Sequence, residues 1–76
     1  MTVQLKRSVT IRGHRTSFSL EQPFLDELQT IAATRGISLA ALVGEIDEAR
    51  PRLTNLSSAL RIHVLSWLKD HAGRAG

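Results

Sequence analysis

The spacing of apolar residues changes period just after Leu20. Up to that point the chain alternates, with Thr16, Phe18 and Leu20 on one side of an extended segment and Arg15, Ser17 and Ser19 on the other. From Phe24 onward the apolar positions recur at three and four, as Phe24, Leu25, Leu28, Ile31 and Ala32. A strand that runs straight into an amphipathic helix must bury its apolar face and the helix stripe in the same core. In "HRTSFSL" one face is greasy enough for that, and the other is small, polar and basic.

The size of that core is the next constraint. A chain of 76 residues makes one domain and buries a small share of its surface, so it needs disulfides, a metal or a partner to be comfortably stable. It has no cysteine, which excludes disulfides and thiolate metal sites. His14, His63 and His71 are scattered and lack a cluster of further ligands, so neither metal nor other cofactor is expected. Association remains the way to enlarge the core, and a homodimer is the expectation.

The formal net charge of +3 is unevenly placed. Lys6, Arg7, Arg12, His14 and Arg15 follow one another with no Asp or Glu between them, whereas the carboxylates lie mainly between Glu21 and Glu48. That asymmetry points to an anionic partner for the N-terminal end. No apolar run approaches the roughly 20 residues that span a bilayer, and the alternating N-terminus lacks the uniform apolar stretch of a signal peptide. A cytoplasmic protein without a membrane partner is the expectation.

In the N-terminal segment Val3, Leu5, Val9 and Ile11 are apolar at odd positions, interrupted by Arg7. After Gly13 the apolar positions are even. A shift of one residue reverses the faces of a strand, so Gly13 marks a turn or a bulge between two extended pieces. Residues 1–13 are therefore a basic N-terminal arm or an extra strand.

The first helix starts near Pro23, whose missing N–H has no partner in a first turn. Ser19 with Gln22 offers a capping box, and Glu21, Asp26 and Glu27 suit the positive end of the helix dipole. Arg35 and Gly36 close it as a basic last turn and a C′ glycine. The second helix is capped by Ser38, carries Leu39, Leu42, Val43 and Ile46 on one stripe, and stops at or before Arg50 because Pro51 follows. Gly44 inside it has two readings: a close crossing by another helix, or a tolerated surface glycine. After a link at 51–54, Asn55 caps a third helix that runs to about His71. Its stripe of Leu56, Leu60, Val64, Trp67 and Leu68 is widened by Ala59, Ile62 and Leu65, more than a small monomer readily covers. Trp67 is expected in the core or a dimer interface, His63 as a partly buried helix residue and His71 as a helix-end cation.

The order is a strand, a helix, a glycine turn and a second helix. On "RTSFSLEQPFLDELQTIAATRGISLAALVGEI", with its strand ending in Phe18 and Leu20, its spacing to Gly36 and its apolar-Ser-apolar opening at Ile37 to Leu39, the chain resembles the ribbon-helix-helix superfamily of DNA-binding proteins, the MetJ/Arc/CopG type. With "RSVTIRGHRTSFSL" before it and "NLSSALRIHVLSWL" after it, the sequence is similar to a bacterial subfamily that carries an extra C-terminal helix.

The resemblance implies a mainly α fold with a short N-terminal β-strand: a ribbon-helix-helix core at 14–50, followed by a C-terminal helix and short tail at 51–76. In that superfamily two chains form a homodimer through an intermolecular antiparallel two-stranded ribbon, which lies in the DNA major groove. Carried over by register, Arg15, Ser17 and Ser19 are the base-reading residues. Arg15 suits guanine O6 and N7, while two serines discriminate less sharply than the long polar side chains common in the family. Ile37, Ser38 and Leu39 at the start of the second helix correspond to a phosphate grip, and Lys6, Arg7, Arg12 and His14 are expected on the DNA backbone. Phe18, Leu20, Leu28, Leu42, Ile46 and Trp67 are the expected dimer core. The implied function is sequence-specific double-stranded DNA binding by a transcriptional regulator, a repressor.

An enzyme is not expected: the sequence shows no nucleophile with an evident base, no carboxylate pair in a cleft, no glycine-rich phosphate loop and no metal-ligand spacing. The rival reading is a protein-interaction module, such as an antitoxin or adaptor, that holds a protein partner through the C-terminal helix.

Overall fold

The computed structural model describes residues 4–72. In chain order the elements are β1 (Gln4–Ile11), β2 (His14–Glu21), α1 (Gln22–Arg35), α2 (Leu39–Ala49) and α3 (Leu56–Ala72). The apolar position at Val3 and the tail after Ala72 lie outside the described residues.

The extended pieces on either side of Gly13 form an antiparallel hairpin, so the N-terminal segment is an extra strand. The turn consists of Arg12 and Gly13, with φ of 51° and 81°. Two successive positive φ values are the signature of a type I′ turn, whose twist matches that of the strands it joins. The register runs from Ile11 opposite His14 to Gln4 opposite Glu21. The resemblance implied a ribbon made between two chains; here both strands of the two-stranded ribbon belong to one chain. The Arg12–Gly13 turn is the reason, because it brings β1 back along β2 without any long loop closure.

Helix α1 follows β2 with no linker. Glu21 is its N-cap and Pro23 sits in the first turn, but no side chain bonds the free N–H groups. The expected Ser19–Gln22 capping box is not formed: Ser19 belongs to β2, where its N–H donates to Ser57 Oγ at 3.3 Å, and Gln22 Nε2 donates instead to Asp26 Oδ1 at 2.7 Å. The far end follows the sequence closely. Gly36 has a φ of 72°, its N–H donates to the Ala33 carbonyl and that of Ile37 to the Ala32 carbonyl, the paired bonds of a Schellman closure. Ser38 then caps α2 by accepting from the Ala41 N–H at 3.0 Å, and Asn55 caps α3 by accepting from the Ser58 N–H at 2.8 Å.

The core lies between the hairpin and the three helices. Leu20, Leu25, Leu28, Ile31, Leu42, Val43, Leu60 and Val64 are fully buried, with Phe18 beside them. Phe18, Leu20, Leu28, Leu42 and Ile46, expected in a core shared by two chains, are covered by their own chain, because β1 lies over α2 while α3 packs on α1, α2 and β2. Trp67 is half-buried against the same cluster and stacks on the His71 ring at 3.9 Å. Gly44 has a packing role, though the element that crosses it is a strand: a Cβ there would stand 3.3 Å from Ile11 Cγ2 of β1. One chain leaves uncovered Leu53 in the link, Leu5 in β1 and the outer part of the α3 stripe, with Ile62, Leu65 and Leu68 exposed at 59%, 56% and 43%.

Inside this packing His63 is half-buried on α3, and its Nε2 is a buried atom with no hydrogen-bond partner among the described residues. Burial, and then the Arg35 guanidinium, push its pKa below the ordinary histidine value of about 6.5, with Glu45 opposing them. As pH falls through 6.5 the unfolded chain takes up a proton that the folded chain resists. Stability is therefore full above that value and declines as pH drops towards the lowered folded-state pKa. A series of melting temperatures from pH 8 to pH 5 should show this decline, reduced in His63→Gln; an identical decline in the variant would remove His63 as its source.

Candidate nucleic-acid interface

Residues opposite one another in an antiparallel pair point to the same face, and the face alternates along the strand. The register therefore sorts the hairpin into two sets of rows. Leu5 with Leu20, Arg7 with Phe18, Val9 with Thr16 and Ile11 with His14 face the helices. Lys6 with Ser19, Ser8 with Ser17 and Thr10 with Arg15 face away from them. Arg15, Ser17 and Ser19 stand together on the outer rows of β2, and β1 places a parallel set beside them. Ser8 Oγ and Ser17 Oγ lie 3.2 Å apart, which locks two hydroxyls of the outer face into one pair.

The charges divide the same way. Arg12 pairs with Glu48, Arg35 with Glu45 at 2.9 Å, Arg50 with Asp47 at 2.7 Å and Arg61 with Glu21 at 3.0 Å. Lys6, Arg7 and Arg15 are exposed, and no carboxylate is paired with any of them among the described residues. The arginines on the helices and at the hairpin turn are neutralised, while among the described residues Lys6, Arg7 and Arg15 on the strands, Arg52 in the link and Lys69 on α3 have no carboxylate paired with them. Such a surface holds a positive potential that an anionic polymer can meet without first breaking ion pairs.

The start of α2 adds backbone donors. Ile37, expected to offer its N–H, has already spent it on the Ala32 carbonyl at 3.0 Å, and the Ala41 N–H is taken by the Ser38 cap. The groups of the first turn without a partner inside the helix are those of Leu39 and Ala40, next to the Ser38 cap. This end of α2 and the hairpin tip share a depression lined by Thr10, Arg12, Ser38 and Ala40, with the carboxylates of Glu45 and Glu48 at its α2 side. The start of α2 and the hairpin tip are therefore neighbours.

The remaining positions divide. Arg12 is committed to Glu48, and Arg7 and His14 stand on the helix-facing rows, so these three lie off the outer face. Lys6, expected on the DNA backbone, shares the outer face with Ser19. Ser8, Thr10 and Ala40 were not singled out by sequence reasoning. The signal for Ser8 and Thr10 was present in the odd-numbered apolar positions of β1, which leave even positions outward, but it needed the register to become usable.

Among the described residues no group of three or more His, Cys, Asp or Glu is placed to hold a metal ion, and no helix is long and apolar enough to cross a membrane. No curated protein and no solved structure shows significant similarity to the chain. The family model described as a ribbon-helix-helix domain matches residues 4–68, which includes both strands, α1, α2 and most of α3. With the strand–helix–helix core, the Schellman closure at Gly36 and the Ser38 cap in their places, the chain belongs to the ribbon-helix-helix domain family.

Proposed function

We propose that the protein is a cytoplasmic, homodimeric transcriptional regulator, a repressor, that binds double-stranded DNA sequence-specifically by laying its ribbon in the major groove. The observation that carries this reading is the outer face of the hairpin, where Arg15 and Lys6 stand among hydroxyl side chains with no carboxylate paired to them among the described residues, while the arginines of the helices are neutralised. A two-stranded ribbon fits the groove, and Arg15 has the fork that matches guanine O6 and N7. The Leu39 and Ala40 N–H groups, with the Ser38 hydroxyl, would grip a phosphate beside it and fix the register of the ribbon. The exposed Ile62, Leu65 and Leu68 of α3 support the homodimer, since an apolar stripe of that kind is stabilised by covering it.

Arg15→Ala should weaken binding to a selected site by about 1–3 kcal/mol and blur one base position, with an unchanged melt. Titration of labelled duplexes by fluorescence anisotropy reads both effects. Equal affinity of parent and variant for every sequence would remove Arg15 as a reader.

The same α3 stripe, flanked by Phe24, supports a second reading in which the domain is a protein-interaction module, an antitoxin or adaptor that seats a partner on α3. An apolar contact of that kind would depend little on salt, which separates it from phosphate binding.

A further inference from the structure

We infer that Ser57 and Arg61 of α3 are positioning residues for DNA reading: they hold the Ser19 end of β2 and the start of α1 in one place, so that the outer row of β2 meets the bases at a fixed distance. This rests on the DNA-binding reading above and gives the third helix a part in it.

The junction they hold has little local support. β2 ends at Glu21 and α1 begins at Gln22 with no linker, and no side chain bonds the free N–H groups of the first turn. Pairing with β1 ends here too, since Gln4 opposite Glu21 is the last pair of the register. A strand end with paired neighbours on one side alone frays readily.

Two contacts from α3 take the place of a local cap. The Ser19 N–H donates to Ser57 Oγ at 3.3 Å, and Arg61 donates from Nε and Nη2 to the two oxygens of the Glu21 carboxylate at 3.0 and 3.4 Å. The spacings match. Residues four apart in a helix advance about 6.0 Å and residues two apart in a strand about 6.8 Å, so Ser57 and Arg61 fall opposite Ser19 and Glu21. The side chains of Arg61 and Glu21 are 29% and 26% exposed, which makes this the most sheltered ion pair among the described residues. Its two-point geometry fixes direction as well as distance. The same guanidinium lies over the Phe24 ring, 5.9 Å from the centroid, so one side chain ties β2, α1 and α3 together.

What is held in this way is the end of the outer row. Ser19 stands there opposite Lys6, on the same face as Ser17 and Arg15. A hydroxyl reads a base edge through a hydrogen bond that weakens steeply with angle and distance, so a strand end free to tilt would read poorly. Ser57 and Arg61 act through the Ser19 backbone and the Glu21 carboxylate, without touching a base themselves.

The test is site selection from a random duplex pool by the parent, Ser57→Ala, Arg61→Lys, Ser19→Ala and Arg15→Ala, and by Ser57→Ala and Arg61→Lys each combined with Ser19→Ala. Circular dichroism and a melt accompany every protein. Ser57→Ala removes the acceptor, and Arg61→Lys keeps the charge while losing the fork. Neither alters the formal charge, so the salt dependence of binding should stay as in the parent. Each should lower the preference at the base position blurred by Ser19→Ala by about three- to tenfold, the scale of one neutral hydrogen bond, and leave sharp the position blurred by Arg15→Ala. In the Ser19→Ala background neither should change the motif further. A motif identical to the parent's in both Ser57→Ala and Arg61→Lys would overturn the inference. So would a loss spread over every position in step with a lowered melt, which is what a purely structural role gives. A Ser19→Ala motif equal to the parent's would overturn it as well, while leaving reading by Arg15 intact. A folded parent that enriches no motif would overturn the DNA-binding reading, and this inference with it.

Discussion

Phe18→Ala is expected to cost about 3–5 kcal/mol of stability, the range for truncating a buried aromatic side chain. Phe18 is 4% exposed and sits in the centre of β2, between the hairpin and the buried residues of all three helices. A domain of 76 residues has in total roughly 4–11 kcal/mol to lose, at about 0.05–0.15 kcal/mol per residue, so the variant stands at or near the edge of folding. Ser17→Ala, one residue away and on the opposite face, should change stability by no more than about 0.5 kcal/mol. Urea unfolding of the two variants side by side measures the contrast. A transition midpoint for Phe18→Ala that matches the parent's would contradict the register from which both faces of the ribbon are assigned.

The second large effect is on binding. If Lys6 and the start of α2 in both copies of the homodimer meet about four phosphates, the logarithm of affinity should fall with that of salt at a slope of roughly −3.6, that is about −0.9 per contact. Between 50 and 200 mM salt this amounts to a loss of roughly 150-fold, or about 3 kcal/mol. Lys6→Ala should flatten the slope by about one contact per chain, about two in the homodimer, whereas Arg12→Ala should do so less, because Arg12 is already paired with Glu48. Anisotropy titrations at several salt concentrations read the slopes directly. A slope near zero would favour the protein-interaction reading and its apolar α3 surface.

Where the sequence was legible, a local rule and the tertiary structure agreed. Gly36, Ser38 and Asn55 sit where the chain must reverse or a helix must start, and each satisfies backbone groups through bonds made within a few residues. The core face of β2 was legible for a related reason, since the period-2 pattern of Thr16, Phe18 and Leu20 has one solution once a face is buried.

The hairpin register was less so. Arg-Gly is not among the strong signals for a two-residue turn, and Arg12 adopts a φ of 51° that a non-glycine residue seldom takes. Gly13 therefore read equally as a turn or a bulge, and the partner of β1 stayed open. Ser19 misled because its spacing to Gln22 imitates a capping box, while the strand continues two residues further, to Glu21. The outward row of β1 and the loss of the Ile37 N–H to the Schellman closure follow from pairings that only the fold supplies.

Enrichment of sheared genomic DNA by the purified protein, its fold confirmed by a cooperative melt and its mass by light scattering, tests the central claim most directly. Recovery of fragments sharing a short pseudo-palindromic motif, by a protein of twice the chain mass, is the predicted result. Recovery of no sequence above the input, by a protein verified as folded, would contradict sequence-specific DNA binding and turn attention to what α3 holds.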